Sequence, residues 1–437
     1  MRPHGLIIPI LFCAIIFNSG CEKIQENNDY ALVTTSIVAT RNDASVQVTL
    51  NIFNPEWAFK NKPEGSPVYV NPDYYEVFLS KNTPGNFKLI KTVNNPNNSF
   101  IISGLTNNTQ YYIYLKGFSD KVKDAKTTKV VMFIPSTYKP DYNFIMKDYY
   151  GHDLYSFDRN SSNSKFVYAT KYYEFETNYA APAIFIGEPN NEPQLIDLSG
   201  WFPDFNSDGT RLAYSSDKGE IFDGQIRPEH IAIYDNTTQE ITKVTYGYSV
   251  NKFPAWSPDN SLLAYSSSGK SDKDLRITIL NPETLEAKIL ETESILSEDI
   301  LSYSQTHPAW SSDGEYIYYT QGYTTNDNVN PGYYDIYRIK SSGGTPERVF
   351  NFEGTKCSPI ISPDNSKLAF LSDLNGKLSI WIYYMNEERY YQAFDTEEYS
   401  FSKDWPGLVW NDNNTILFSA YSKEKGEDYS LFSITIE

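Results

Sequence analysis

The chain is poor in residues that bind metals or act as nucleophiles. Among 437 residues there are 3 cysteines and 4 histidines. Neither a cysteine pair with zinc-site spacing, nor a His-Glu-x-x-His motif, nor a glycine-rich phosphate loop occurs. The Gly-x-Ser-x-Gly elbow of α/β-type serine hydrolases is also missing. We therefore predict no metal, no cofactor and no catalytic residue.

Basic residues are too few to balance the acidic ones. Lysine and arginine together number 37, aspartate and glutamate 55, and the formal net charge is −18. The isoelectric point is near 4.7. Such a surface repels polyanions, so nucleic acid is not an expected partner.

The N-terminus carries an apolar run, Leu6–Phe17, that is too short to span a bilayer. It follows a positively charged start and precedes Ser19-Gly20-Cys21, which predicts a signal peptide over residues 1–20. The cysteine after two small residues resembles the cleavage box of bacterial lipoproteins. The resemblance implies lipidation of Cys21, a tether over 21–29 and attachment to the outer membrane of the cell envelope, on either face. An ordinary signal with an incidental cysteine is the alternative.

The second half of the chain repeats one phrase five times. Each copy is an apolar strand, a turn centred on Asp-Gly or Asp-Asn, and a second apolar strand. The aspartates that mark the turns are Asp208, Asp259, Asp313, Asp364 and Asp412. A degenerate sixth copy lies at Tyr155–Tyr168. A period of about 50 residues with four short strands per unit predicts a propeller of six blades over 143–437.

The last blade supplies three strands before the sequence ends. We predict that Asn143–Asp148 is its fourth and outer strand, which would close the ring. Trp256, Trp310 and Trp410 occupy one equivalent place in the repeats, where a large ring can fill the space between blades. We predict that Cys357 is a small packing residue.

The phrase Ala255-Trp-Ser-Pro-Asp-Asn260, with its proline two residues before the tryptophan, resembles the repeat of TolB-type β-propellers. The resemblance covers about 143–437 and implies a six-bladed propeller. Propellers of this type serve as periplasmic scaffolds, as peptidase domains and as sugar-lyase folds. The resemblance therefore leaves both binding and catalysis open.

Residues 30–135 lack the blade repeat. Strands are predicted there at Val46–Ile52, Tyr74–Ser80, Phe87–Val93, Ser99–Ile102, Tyr111–Phe118 and Thr128–Phe133. The stretch Phe100–Leu115 resembles the signature of a fibronectin type III domain, which implies that Leu105 fills the core and that Tyr111 forms a tyrosine corner. Residues 136–142 would link this domain to the propeller. The predicted fold class is thus all-β, an Ig-like or fibronectin type III sandwich followed by a six-bladed β-propeller.

The loops that enter the innermost strands of a propeller ring the mouth of its central channel. In this chain they contribute Trp201, Lys252, His307, Lys356, Asp404 and Trp405. The indole rings could stack on a sugar or a partner's side chain, and the lysines would favour a carboxylate-bearing ligand. The alternative is that these are ordinary strand-entry residues.

Two classes of function remain. The first is a non-catalytic, membrane-anchored lipoprotein whose propeller binds or scaffolds an envelope protein or a glycan. The second is a carbohydrate-active enzyme, a polysaccharide lyase or glycoside hydrolase, with its site at the channel mouth. The missing enzyme motifs favour the first.

Overall fold

The computed structural model describes residues 30–436, apart from short gaps. The gaps are 33–34, 53–67, 95–98, 138–141, 151–152, 161–164, 175–178, 218–228, 248, 269–274, 292–299, 326–333, 351–353, 395–398, 403–406 and 423–426. The predicted signal peptide, tether and Cys21 lie outside the described residues. All regular structure in the described part is β-strand, which confirms the all-β class. Within it, no helical segment has the length and apolarity that a membrane crossing requires.

The N-terminal part is a sandwich of two antiparallel sheets. The first sheet consists of β2 (Thr35–Asn42), β3 (Ser45–Ile52) and β7 (Ser99–Ser103) in the order β2-β3-β7. The second consists of β5 (Tyr74–Lys81), β6 (Lys88–Asn94), β8 (Tyr111–Ser119), β9 (Val122–Thr127) and β10 (Val131–Phe133), in the order β10-β8-β5-β6 with β9 on β8. A short parallel pair joins β1 (Tyr30–Leu32) to β4 (Val68–Val70).

The sandwich core comes from the alternating inward positions of both sheets. Val46, Val48, Val77 and Ile113 are all fully buried in one apolar cluster. Leu105 packs against this cluster, and the backbone N–H of Thr106 donates a hydrogen bond to the Tyr111 hydroxyl at 3.1 Å, as predicted for both residues. Strands β2 and β9 were not predicted, although β2 alternates buried and exposed positions along its length.

The C-terminal part forms six blades. Blade one consists of β12 (Leu154–Arg159), β13 (Phe166–Glu174), β14 (Tyr179–Gly187) and β15 (Gln194–Asp197). Blade two consists of β16 (Gly200–Phe205), β17 (Arg211–Ser216), β18 (His230–Asp235) and β19 (Ile241–Lys243). Blade three consists of β20 (Asn251–Trp256), β21 (Leu263–Ser267), β22 (Arg276–Leu280) and β23 (Ala287–Ile289).

Blade four consists of β24 (Ile300–Trp310), β25 (Tyr316–Thr325), β26 (Tyr334–Lys340) and β27 (Glu347–Arg348). Blade five consists of β28 (Lys356–Ile361), β29 (Lys367–Ser372), β30 (Ser379–Tyr384) and β31 (Arg389–Phe394). Blade six consists of β33 (Leu408–Asp412), β34 (Thr415–Ser422), β35 (Glu427–Thr435) and β11 (Tyr142–Met146), with β32 (Tyr399–Ser400) on β34.

The ring closes as predicted. Strand β11 pairs antiparallel with β35, which places Tyr142 opposite Ile434 and Phe144 opposite Phe432. The Tyr142 ring makes edge contacts with Phe394, Tyr399 and Phe432. The first strand of the propeller domain is therefore held by the last, and the outer edge of blade six is covered. Cys357 is buried in the cluster between blades five and six, in agreement with its predicted packing role.

The Asp-Gly and Asp-Asn turns lock neighbouring blades together. In the Asp-Asn turn of blade three, Asn260 has φ +63° and its side-chain oxygen accepts a hydrogen bond from the Ser207 backbone N–H at 2.9 Å. In blade five, the Asn365 amide likewise donates to Asp313 of blade four at 3.0 Å. Asparagine tolerates the left-handed conformation and adds a polar side chain. It therefore serves where the turn also contacts the preceding blade.

The sandwich docks on blades four and five. Backbone carbonyls in the turn after β29 accept hydrogen bonds from two sandwich strands. The Ala39 N–H donates to Asn375 at 2.8 Å, and the Met132 N–H donates to Leu374. Gly376 has φ +88°, and a Cβ there would lie 1.8 Å from the Ile37 carbonyl oxygen. Only glycine allows this approach, so the turn forms a fixed joint between the domains.

Candidate functional site

Four inner strands break register at an X-Pro pair. The pairs are Phe202-Pro203, Phe253-Pro254, His307-Pro308 and Ser358-Pro359. Their first residues have φ values of +53°, +57°, +52° and +55°, a region that bulky side chains rarely adopt. Proline lacks an N–H, so at these bulges it forfeits no sheet donor.

Hydroxyl groups of the preceding blade hold the bulges. The backbone N–H of Phe202 donates to Ser156 Oγ at 3.2 Å, and that of Phe253 donates to Ser215 Oγ at 3.1 Å. The Ser358 N–H donates to the Thr320 hydroxyl at 2.8 Å. Each bond satisfies a backbone donor that the broken ladder leaves over, and it offsets part of the conformational strain.

The bulges bring three rings from consecutive blades together. The Phe202 and Phe253 ring centres are 4.3 Å apart, and those of Phe253 and His307 are 4.0 Å apart. Phe202 and His307, two blades apart, still approach to 6.1 Å. The three side chains therefore meet near the axis of the propeller.

A channel of about 750 Å³ lies between these rings and the face that carries the Asp turns. The residue directly after the proline of each X-Pro pair lines the channel wall, as does the equivalent residue of blades one and six. In chain order these residues are Asp158, Asp204, Ala255, Ala309, Ile360 and Val409. Trp256, Trp310 and Trp410 line the wall as well. They also pack between blades as predicted, and the Trp310 indole N–H donates to the Ala255 carbonyl at 3.0 Å.

Two carboxyl groups on adjacent blades share this wall. Asp158 accepts a hydrogen bond from the Phe205 N–H, and Asp204 accepts one from the Trp256 N–H, both at 2.7 Å. Burial raises the pKa of Asp158 to about 6. Burial and then the charge of Asp158 raise the pKa of Asp204 well above its ordinary value. Among the described residues, no lysine or arginine forms an ion pair with either carboxylate. The pair therefore retains a proton more readily than isolated aspartates do.

The far end of the channel holds polar atoms without protein partners. Within the described part of the chain, neither ring nitrogen of His307 makes a hydrogen bond, and both are buried. The Ser358 hydroxyl is in the same situation, in a residue that is 4% exposed. Burial lowers the pKa of His307 to about 3, which keeps the ring neutral at physiological pH. A buried polar group without a partner is costly, so these atoms favour a polar ligand or water in the channel.

The structure describes four of the six residues predicted to ring the channel mouth. Of the four that the structure describes, only His307 lines the channel. Trp201 packs against the Tyr155 ring at 5.8 Å, and Lys252 forms an ion pair with Glu229 at 2.8 Å. Lys356 is buried and lies 3.4 Å from Asp335. Asp404 and Trp405 fall outside the described residues.

The two predicted mouth lysines form ion pairs with acidic residues of the preceding blade. Lys252 pairs with Glu229, and Lys356 pairs with Asp335, which also pairs with Arg348. The residues that do line the channel lie after the X-Pro bulge. Asp158 and Asp204 were missed, although aligning the six repeats places both in the same column.

Comparisons with known proteins bear on the architecture. No protein-family model matches the chain. Over 142 residues the chain is 28% identical to a protein TolB homolog from Chlorobium luteolum, and this stretch covers 32% of the chain but only 28% of that protein. The matched segment thus spans less than a third of the relative's length.

Two solved structures resemble the chain more broadly at low identity. TolB from Acinetobacter baumannii is 15% identical with a TM-score of 0.40, and the alignment covers 76% of this chain and 77% of that one. An oligogalacturonate lyase from Vibrio parahaemolyticus is 13% identical with a TM-score of 0.42, covering 69% and 98%. At this level of similarity the two structures do not identify a function, so the function has to be inferred from the residues that line the channel.

The buried acid pair predicts an unusual pH dependence of stability. A carboxyl whose pKa is raised on folding, from 3.8 to about 6 for Asp158, makes its full contribution to stability below the lower value. That stability is lost as the pH rises through about 6. Asp158→Asn keeps an acceptor for the Phe205 N–H, so it should raise the free energy of unfolding at about pH 7.5 by up to about 3 kcal/mol.

Urea unfolding at about pH 7.5 and pH 4 measures this effect, and the gain should vanish at the lower pH. Asp364→Asn is the matched control. The Asp364 carboxylate accepts a hydrogen bond from the Ser362 hydroxyl, and this bond is the main cause that lowers the pKa of Asp364 to about 2. This control should therefore lose stability at about pH 7.5. An Asp158→Asn variant that is less stable than the parent at that pH would contradict the account of the pair.

Proposed function

We propose that this protein is a non-catalytic binding module that takes part of an envelope protein or a glycan into its propeller channel. The observation that carries the proposal is the channel itself, a preformed space of about 750 Å³ with aromatic walls. Flat tryptophan faces and a few unsatisfied polar groups are typical of a ligand site. His307 and Ser358 provide such groups at the inner end.

The fixed joint between the domains supports a presenting role for the sandwich. Tyr112 and Met132 of the sandwich pack with Phe350 and Trp381 of the propeller in one apolar cluster. Because the sandwich is held at one side of the ring, it leaves the channel face in a set orientation. We propose that it is a fibronectin type III-like domain over 30–135 and that the propeller spans 143–437.

We further propose that Cys21 is acylated and holds the protein at the outer membrane. The support is the apolar run followed by Ser19-Gly20-Cys21. Cys21→Ala should move the protein from the membrane fraction to the soluble fraction, or block its maturation. Intact membrane association of that variant, with no acyl group found by mass spectrometry on the parent, would refute the anchor.

A second candidate function is carbohydrate cleavage by a lyase or hydrolase. The observation that favours it is the acid pair, in which one carboxyl with a pKa of about 6 could donate a proton to a leaving group. The partner carboxylate lies on the adjacent blade. This candidate differs from the first in requiring product formation that depends on Asp158 or Asp204.

Filling the channel tests the proposed function. The full-length mature protein is screened against envelope polysaccharides and envelope protein fractions for both binding and product formation. Ala309→Trp places an indole in the channel and should weaken binding of the true ligand by at least about 10-fold, since it removes the space the ligand occupies. Leu195→Ala, on the exposed outer strand of blade one, should leave affinity unchanged.

Three results are decisive. Binding without turnover that is lost only in Ala309→Trp supports the binding module. Product formation that Asp158→Asn abolishes would establish the enzyme instead. Binding that survives Ala309→Trp would place the ligand on the outer surface of the propeller.

A further inference from the structure

We infer that the channel recognises a basic side chain, lysine or arginine, of a polypeptide segment, with its charged head between Asp158 and Asp204. The inference rests on the proposed function, because it takes the channel to be the binding site. It adds the chemical class of the ligand and the residues that select it.

Few other titratable groups share the channel with the two carboxylates. The other titratable groups that line the channel are Arg159, His307 and Asp412. Arg159 lies 5.7 Å above the Phe166 ring, His307 is neutral, and Asp412 is an exposed rim residue whose carboxylate accepts the Asn414 N–H at 2.8 Å. Among the described residues, nothing pairs with the acid pair as a counterion. An incoming cation would therefore be attracted strongly in this partly dry space.

The shape of the wall favours an aliphatic stem below the charged head. At the level of the acids, the other four blades contribute Ala255, Ala309, Ile360 and Val409 to the wall. Lysine and arginine carry their charge at the end of an apolar chain, which can lie along such a surface. At this level a sugar amine would instead bring ring hydroxyls against these four side chains, which cannot hydrogen-bond to them. The apolar wall therefore favours a polypeptide over an amino sugar.

The unpartnered atoms at the inner end match a peptide unit. Neutral His307 offers one N–H donor and one nitrogen acceptor, and the Ser358 hydroxyl can donate or accept. A peptide group presents one N–H and one C=O, both uncharged. The channel thus combines two carboxylates for a cation with neutral donors and acceptors for a backbone amide.

A small-molecule titration tests the inference directly. The probes are the N-methylamides of Nα-acetyl-lysine and Nα-acetyl-arginine, with the uncharged norleucine analogue and glucosamine as comparisons. The reporter is the Cε1–H resonance of His307 in the full chain labelled on histidine, identified by its absence from His307→Phe. The lysine and arginine probes should bind at least about 10-fold more tightly than norleucine, because only they carry a charge to the acid pair.

Variants identify the groups responsible. Asp158→Asn and Asp204→Asn should each weaken the basic probes by at least about 10-fold and leave norleucine unchanged. Asp124→Asn, an equal change of charge on an exposed sandwich strand, should have no effect. Lowering the pH from about 7.5 to 5 should weaken the basic probes in the parent, since the pair then takes up protons, and should change the aspartate variants less.

Other outcomes overturn the inference. Equal affinity for norleucine and lysine probes, or no response to the basic probes, would show that the channel does not select a charged side chain. Tighter binding of glucosamine would point to a glycan amine. These failures can be told apart from failure of the proposed function. If Ala309→Trp excludes an envelope ligand but Asp158→Asn leaves its affinity unchanged, the ligand binds in the channel and only the cation selectivity is refuted.

Discussion

The X-Pro bulge in the inner strands is the constraint on which the channel depends. At each bulge a residue such as Phe253 takes a left-handed conformation that costs of order 1–3 kcal/mol. Hydroxyl groups of the preceding blade, such as Ser215, hold that conformation through the displaced backbone N–H. Because three of the four bulges are held by a hydroxyl of the neighbouring blade, the shape of the channel depends on the closed ring and not on a single blade.

The bulge also decides which residues face the channel. It turns Phe202, Phe253 and His307 towards the axis, and it presents the residue two positions later to the wall. Among the four blades with an X-Pro pair, that residue is Asp204 in blade two and apolar in blades three to five. The equivalent residue is Asp158 in blade one and Val409 in blade six. Two like charges in a partly dry space are unfavourable for folding, whereas a site that must attract a cation requires them. The acid pair is therefore consistent with the cation binding that we propose.

Much of the fold could be predicted from the sequence because repeats and turns are local signals. The Asp turns fix the blade count, and the three-strand final unit requires β11 to complete it. The residues that face the channel are harder to predict, because the sequence does not show the partners of the lysines at strand entry. Lys356 pairs with Asp335, 21 positions earlier in the chain, and the joint at Gly376 depends on a sandwich strand more than 300 positions away. Neither contact leaves a local pattern.

The central claim is that Asp158 and Asp204 form an uncompensated, coupled pair in the channel. Carboxyl-carbon NMR titration of the full chain labelled on aspartate measures it most directly, with Asp158→Asn and Asp204→Asn for assignment. The account predicts that Asp158 titrates near pH 6 and Asp204 also well above the ordinary aspartate value, with the Asp204 value falling when Asp158 is replaced. Two independent titrations near pH 4, unchanged in the variants, would contradict it.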